Sequence, residues 1–463
     1  DEPLYFTKEE AAALYSLCST LTEVADWDTL NKVKPVLDIV IKDNIQDKQF
    51  FNTSIFSFQY LTTDIHLQKQ LAILLSNRFT ANDKYKFKHD KIKPGKINIG
   101  YISPDFRNHV VGFLINDLFK FHNRDNFTIH CYSLSPSDDA TCKTIMNSSD
   151  YFNDISMLSP KNGANKIYND QIDILVDLAG YTDQCNPELL SYQPAPAQVQ
   201  FLGQAGTMGA EFIQYHICTE TIVPENHLEH YVEQIVYLPN SIIGVEKYKV
   251  QNKNLSRELY GLPENKFIMC CFNTNYRIDE EVCSYWVKLL KNIPNSALWL
   301  YYHTDLQKEN LVKYFEKHDI YDDQLFFTNN NLISESWHNT LADIYVDTFK
   351  VTSLTANILN IWADIPVVTL AGDTPASRYG ANALSAIDMP ELIASTQEEY
   401  YNIILELALN SDKLQQIKDK IKRNKQSSVL FNQQAYISQL EQAYALIVED
   451  YNSGNKAKTI TVK

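Results

Sequence analysis

Lys96-Ile97-Asn98-Ile99-Gly100-Tyr101-Ile102-Ser103 is the stretch on which the fold turns. Its β-branched and aromatic content reads as a strand, and Val110–His122 follows as an amphipathic helix. Phe127–Leu134 is again strand-like. Short β-rich runs recur at Asp173–Leu178, Ala197–Leu202, Tyr215–Thr219 and Gln234–Leu238, each bounded by turn residues. Strands separated by helical patterns predict βαβ units and a mainly parallel sheet.

Downstream, the polar, lysine-rich bridge Tyr248–Ser256 interrupts this pattern, which then restarts. Strands are predicted at Phe267–Asn273, Ala297–His303, Leu325–Thr328, Ile344–Asp347 and Pro366–Leu370. Helices are predicted at Glu280–Lys291, Leu306–His318, Ser334–Leu341 and Thr352–Ala363. Upstream, residues 8–92 read as helices, with Leu14, Leu17, Leu21 and Val24 at helical spacing. The fold class is therefore α/β, two tandem Rossmann-like lobes preceded by a helical segment. The expected partition is a helical segment over 1–94, a first lobe over 95–245, a second lobe over 257–395, packing helices over 396–453, and a solvated tail over 454–463. In tandem doubly wound units, ligands are expected at the carboxyl ends of the strands, in the cleft between units.

Composition narrows the function. The 463 residues are 44% hydrophobic, ordinary for a globular chain, and the 41 basic against 57 acidic residues leave a net charge of −16. That balance argues against nonspecific binding to nucleic acid or an anionic membrane. No apolar run approaches the ~18–20 residues of a membrane span. The start, Asp1-Glu2-Pro3-Leu4-Tyr5, resembles no signal peptide and suggests that an upstream part, such as a repeat array, is missing. The eight cysteines show no CxxC pair and are expected as free thiols in a reducing cytoplasm.

Chemistry-bearing stretches are few. Of 13 glycines, four fall at 180, 203, 206 and 209, and Phe201-Leu-Gly-Gln-Ala-Gly-Thr-Met-Gly209 runs from a strand into a turn. Such a loop brings backbone N–H groups close to a ligand or simply makes a tight turn. Ser103-Pro104-Asp105-Phe106-Arg107-Asn108-His109 leaves the first strand at its carboxyl end. An imidazole there exchanges a proton near neutral pH; the alternative is a helix cap by Asn108 with His109 solvated. His227-Leu-Glu-His230 lacks a third soft ligand and reads as a solvated polar turn rather than a metal site. Lys418–Lys425 reads as an exposed helix face, and no GxSxG or Cys–His signature points to a hydrolase.

Over most of its length the chain resembles the catalytic region of the O-GlcNAc transferase and SPINDLY family, glycosyltransferase family 41. The resemblance is carried by Asp26-Trp27, Ile99-Gly-Tyr-Ile-Ser-Pro-Asp-Phe-Arg-Asn-His109, Ile174-Leu-Val-Asp-Leu-Ala-Gly-Tyr-Thr182 and Gln193-Pro-Ala-Pro-Ala-Gln-Val199. Pro294–Leu300, Leu341-Ala-Asp343, Asp347-Thr348, Ala376-Ser-Arg378 and Leu430-Phe-Asn432 follow in order. The resemblance implies a GT-B fold, a nucleotide-sugar donor, a Ser/Thr acceptor on another protein, and no cofactor or metal. It places His109 at the acceptor. It puts Arg277 where the family has a lysine on the donor diphosphate, and Thr274 where the family has a Gln. Gly206 and Thr207 lie in the family's Gly-Tyr-Pro-Gly-Thr loop, and Thr355 is what remains of its Gly-His-Thr-Thr turn.

Other donor positions depart from the family: Leu332, Glu335, His338, Leu354, Ala356 and Leu359 replace groups that carry charge or hydrogen bonds. Lost charge-assisted bonds are worth ~1.5–3 kcal/mol each, against ~8 kcal/mol for a micromolar complex. Two functions follow. One is a protein O-glycosyltransferase using a UDP-GlcNAc-like donor, inverting and metal-independent. The alternative is a degenerate homologue serving as a chaperone-like subunit of a second, active glycosyltransferase. A sugar-nucleotide epimerase on the same plan finds little support in the matched landmarks.

Overall fold

The computed structural model of the chain describes residues 6–48, 53–246, 255–329 and 340–463. The chain forms two compact units, and neither is continuous in sequence. The first comprises residues 54–56, 64–247 and 429–463; the second comprises 1–53, 57–63 and 248–428.

The first unit contains β1 (Ile97–Ser103), β2 (Phe127–Ser133), β3 (Tyr151–Asp154), β4 (Ile174–Asp177), β5 (Ala197–Gln200), β6 (Tyr215–Cys218) and β7 (Gln234–Tyr237). The second contains β8 (Phe267–Cys271), β9 (Ser296–Tyr301), β10 (Leu325–Thr328), β11 (Ile344–Val346), β12 (Val367–Leu370) and β13 (Ile393–Ala394), and the chain closes with β14 (Ile460–Thr461) back in the first. Among the described residues the strand orders are β14-β7-β6-β5-β4-β1-β2-β3 and β10-β9-β8-β11-β12-β13. Neighbouring strands are parallel throughout. Strands buried on both faces explain the near-continuous apolar runs of the sequence, as at β4 and β6. Both sheets reverse their winding at one place, between β1 and β4 and between β8 and β11. At such a switch point the two flanking connections leave on opposite faces and open a crevice at the carboxyl ends.

The helices begin where the sequence supplies caps. Thr7 and Glu10 form a reciprocal capping box ahead of Lys8–Glu23, and Asp26 and Asp64 cap Trp27–Gln46 and Ile65–Ser76. The helix expected over 110–122 is shorter, Val110–Ile115 with a separate 3₁₀ turn at Phe119–Phe121. It ends at Asn116-Asp117, residue types that compete for backbone hydrogen bonds. The last segment is not a solvated tail. Ile460 and Val462 are buried, and β14 extends the first sheet beyond β7. The bridge Tyr248–Ser256, except for its last two residues, and most of the helix expected over 334–341 lie outside the described residues.

Helix Gln433–Asn452 belongs to the first unit and fills its core from the far end of the chain. The Tyr444 and Tyr101 hydroxyls are 2.9 Å apart, Tyr436 donates to the Ile242 carbonyl at 2.8 Å, and Tyr215 donates to Asp450 at 2.7 Å. All eight cysteines are free thiols, seven of them buried. Among the described residues no helix is long and apolar enough to cross a membrane.

Candidate functional site

The first switch point is built by the turn that follows β1. Asp105 donates its amide to Ser103 Oγ at 2.9 Å, which folds the chain back on itself, and Asn108 donates its amide to Asp139 at 2.6 Å. A Cβ on Gly112 would lie 2.1 Å from the Arg107 carbonyl oxygen, so only glycine lets the helix sit against this turn. The cap of Val110–Ile115 is His109 rather than Asn108. The Val111 amide donates to its Nδ1 at 3.2 Å, which corrects the reading of a merely solvated imidazole. Asp105 Oδ2 stands 3.3 Å from the same nitrogen, and Arg107 pairs with the other carboxylate oxygen at 3.3 Å. The His109 side chain is 41% exposed. Burial holds its pKa below the ordinary histidine value against the pull of Asp105, with Arg107 acting in the same sense as burial. The imidazole is therefore neutral at pH 7.

On the other side of this switch point, β4 ends in Asp177, whose carboxylate accepts the Ala179 and Gly180 amides at 3.0 Å each. Burial pushes this carboxyl up to about 7, and the two amides pull it the other way. Gly180 and Gly209 take positive φ, and a Cβ on Gly203 would meet the Leu178 carbonyl at 2.1 Å, so the glycine-rich loop after β5 is a tightly packed turn. Gly206, at φ 96°, has open space around it and leaves its backbone accessible. Thr207 is turned inward: its hydroxyl donates to Glu233 at 2.6 Å and accepts the Gly209 and Val232 amides. Its hydrogen-bonding capacity is thereby used within the fold.

The second switch point has a buried carboxylate at its centre. Asp347, directly after β11, accepts from Asn273 at 2.8 Å, from the Thr348 amide at 2.9 Å, from Asn357 at 2.7 Å and from Thr369 at 2.9 Å. Burial raises its pKa while these donors oppose the shift. One side chain thus ties the ends of β8, β11 and β12 to the helix Thr355–Trp362. Arg277 follows β8 in a 3₁₀ turn and donates through Nη1 to the Thr352 carbonyl at 2.5 Å, while its Nε is buried without a partner. The guanidinium is therefore attached to the loop that opens helix Thr355–Trp362. Thr274 is exposed in the same turn. Thr355 is the first residue of that helix, whose cap position Leu354 offers no side-chain bond; Ser353 Oγ accepts the Ala356 amide at 3.1 Å instead. Leu359 and Ala356 are buried as apolar packing, and Leu332, Glu335 and His338 lie outside the described residues.

His227 and His230 do form a turn, yet both rings are buried rather than solvated, and His66 meets His230 edge-on at 4.3 Å. Among the described residues no group of three metal-ligating side chains comes together. Lys418–Lys425 lies on helix Ser411–Asn424 and its end, but Lys425 is buried and paired with Asp364 at 2.5 Å, so that stretch is not uniformly an exposed face. Asp105 and the Asn273–Asp347–Asn357 set were not singled out from sequence. Asp105 and Asp347 stood inside landmark motifs, and only their position at strand ends could have marked them.

The family model for Glycosyl transferase family 41 matches residues 63–254 and 245–440, most of the chain. The chain belongs to this family. The probable UDP-N-acetylglucosamine–peptide N-acetylglucosaminyltransferase SEC of Arabidopsis thaliana is 33% identical over 377 residues, 79% of this chain and 38% of that protein. The UDP-N-acetylglucosamine–peptide N-acetylglucosaminyltransferase of Caenorhabditis elegans is 25% identical, over 79% of this chain and 42% of its own length. The chain therefore spans about two-fifths of these curated relatives. Among solved structures, a mutant O-GlcNAc transferase from Thermobaculum terrenum superposes with a TM-score of 0.83 at 23% identity, covering 96% of this chain and 85% of that one. That likeness shows the fold: this family 41 chain has the GT-B type of α/β architecture, with helices ahead of its first sheet.

Proposed function

We propose that the chain is a protein O-glycosyltransferase that moves a sugar from a UDP-GlcNAc-like donor to a Ser or Thr hydroxyl of a protein acceptor. The observation that carries this reading is the loading of both switch points. The first carries a neutral imidazole, and the second a guanidinium fixed to the loop before a helix N-terminus. In the reaction the acceptor oxygen bonds to the anomeric carbon as the carbon–oxygen bond to the diphosphate breaks, with inversion. The hydroxyl proton passes to His109, and the electron pair leaves on the phosphate oxygen. Arg277 and the amide end of helix Thr355–Trp362 supply positive potential for that developing charge, so no metal is required. Gly206 and Thr274 offer backbone and hydroxyl groups to the donor. Thr207 supports the loop. Eight free thiols agree with a cytoplasmic setting.

A second reading, that of a subunit assisting an active glycosyltransferase, is favoured by the burial of Leu359 and Ala356 where the family keeps polar donor contacts. Titration calorimetry with UDP, GDP and their sugars separates the two. Micromolar binding that weakens about 10- to 100-fold in Arg277→Ala supports the enzyme, given ~1.5–3 kcal/mol for a charge-assisted bond. Absence of heat with every nucleotide supports the subunit, which should then co-purify with a partner transferase.

A further inference from the structure

Besides its bond to the Thr352 carbonyl, the Arg277 guanidinium lies over the ring of Tyr276, 5.5 Å from the centroid. A cation that close to an aromatic face is attracted by the ring quadrupole, most strongly where water is excluded. A bond through one nitrogen leaves a planar fork free to swing, so the surface on which it rests decides where its other N–H groups point. That surface is itself held. The Tyr276 ring packs on Tyr60 with centroids 4.8 Å apart and planes 30° apart, within the range of favourable aromatic pairs. Tyr60 lies on the short helix Ile55–Leu61, is buried, and its hydroxyl meets Ser19 Oγ of helix Lys8–Glu23 at 2.7 Å. The neighbouring Asn275 donates through Nδ2 to the Glu23 carbonyl at 3.1 Å, which ties the same 3₁₀ turn to the end of that helix. Ser19, Glu23, Tyr60 and Asn275–Arg277 all belong to the second unit.

We propose that Tyr60 is a positioning residue for Arg277, acting through Tyr276 to set the guanidinium against the diphosphate of a nucleotide. The inference rests on the reading of Arg277 as a donor-site cation. The helices ahead of the first sheet then form a wall of the donor site rather than a lead-in to it. They supply both the ring that supports Tyr276 and the carbonyl that anchors Asn275. Tyr60 contributes its ring, and the bond to Ser19 only orients that ring. Ser19 is half-buried, so water can replace the phenol hydroxyl there, whereas nothing but another aromatic side chain replaces the packed ring.

Two measurements on the full chain test this. Arg277 Nε is buried, which slows exchange of its proton with water and makes the resonance observable by NMR. That signal, assigned by its loss in Arg277→Gln, reports where the guanidinium sits over the ring whether or not a nucleotide binds. Tyr60→Ala should move and broaden it, and Tyr60→Phe, which keeps the packed ring, should leave it in place. In calorimetric titration with UDP, Tyr60→Ala should bind about fivefold more weakly or worse, and Tyr60→Phe within about twofold of the wild type. In an Arg277→Ala background, Tyr60→Ala should cost no further affinity, because the group it positions is gone. If Tyr60→Ala does not fold, Tyr60→Leu, which keeps an apolar side chain without the ring, takes its place. An unmoved Nε resonance in the folded variant, or an equal loss of UDP affinity with and without Arg277, overturns the proposal. A wild type that binds no nucleotide counts against the donor-site reading of Arg277 and leaves the resonance to decide whether Tyr60 places it.

Discussion

His109 and Asp177 flank the same switch point and respond to pH in different ways. Because burial keeps His109 below the ordinary histidine pKa, transfer to a peptide should fall only as pH drops below about 6.5, the unperturbed value. His109→Ala should reduce turnover at least ~10²-fold and abolish that acid limb, as steady-state rates against pH would show. Asp177 acts on stability. Its folded pKa, about 7, lies above the unfolded 3.8, so the folded state binds the extra proton in between. The stabilisation is complete below pH 4 and is lost as pH rises through 7, on the order of 4 kcal/mol. Urea midpoints should therefore decline from pH 4 to 7 in the wild type and stay level in Asp177→Asn. His109 was legible from sequence because it ends a turn that leaves a strand. Asp177 was visible only as part of a motif, since spacing does not disclose that two amides close over its carboxylate.

At the scale of elements, the second switch point depends on close packing around one carboxylate. A Cβ on Gly380 would come within 2.4 Å of Thr369 Oγ1 and 2.6 Å of both Asn357 Nδ2 and Asp347 Oδ2. Gly380→Ala should destabilise the second unit by ~1–3 kcal/mol, measured by urea unfolding, and weaken nucleotide binding as the loop held by Arg277 loosens. The strands themselves were readable: the runs at Leu325–Thr328 and Phe127–Ser133 are apolar, short and bounded by turn residues. Less visible were β3, which is polar and half-exposed at a sheet edge, and β14, two residues in a lysine- and threonine-rich stretch. Neither has the apolar run by which a buried strand declares itself, and both are fixed by the neighbour they pair with. Thr207 illustrates a similar limit. Its hydroxyl looked available beside Gly206, but Glu233, distant in sequence, takes it.

For the whole molecule, the decisive feature is that each unit is assembled from segments far apart in the chain. Residues 64–247 alone contain seven strands of the first sheet but lack Tyr436, Leu440, Tyr444 and Ile447, all fully buried. Prepared alone, that fragment should melt without a cooperative transition. Added residues 429–463 should restore one, as circular dichroism and calorimetry would record. Tandem α/β lobes were legible as repeated strand–helix alternation. The return of the last helix to the first lobe was not, because an amphipathic pattern shows that a face is buried without showing against what.

That return has a consequence for biosynthesis. A ribosome releases the first sheet's early strands long before it makes Tyr444 and β14, so the lobe waits with an unfilled core and an unpaired margin while the intervening half is translated. Slow elongation through residues 248–428 would lengthen that exposure and raise the demand on chaperones, and premature termination anywhere before the final helix would leave both halves as substrates for proteolysis.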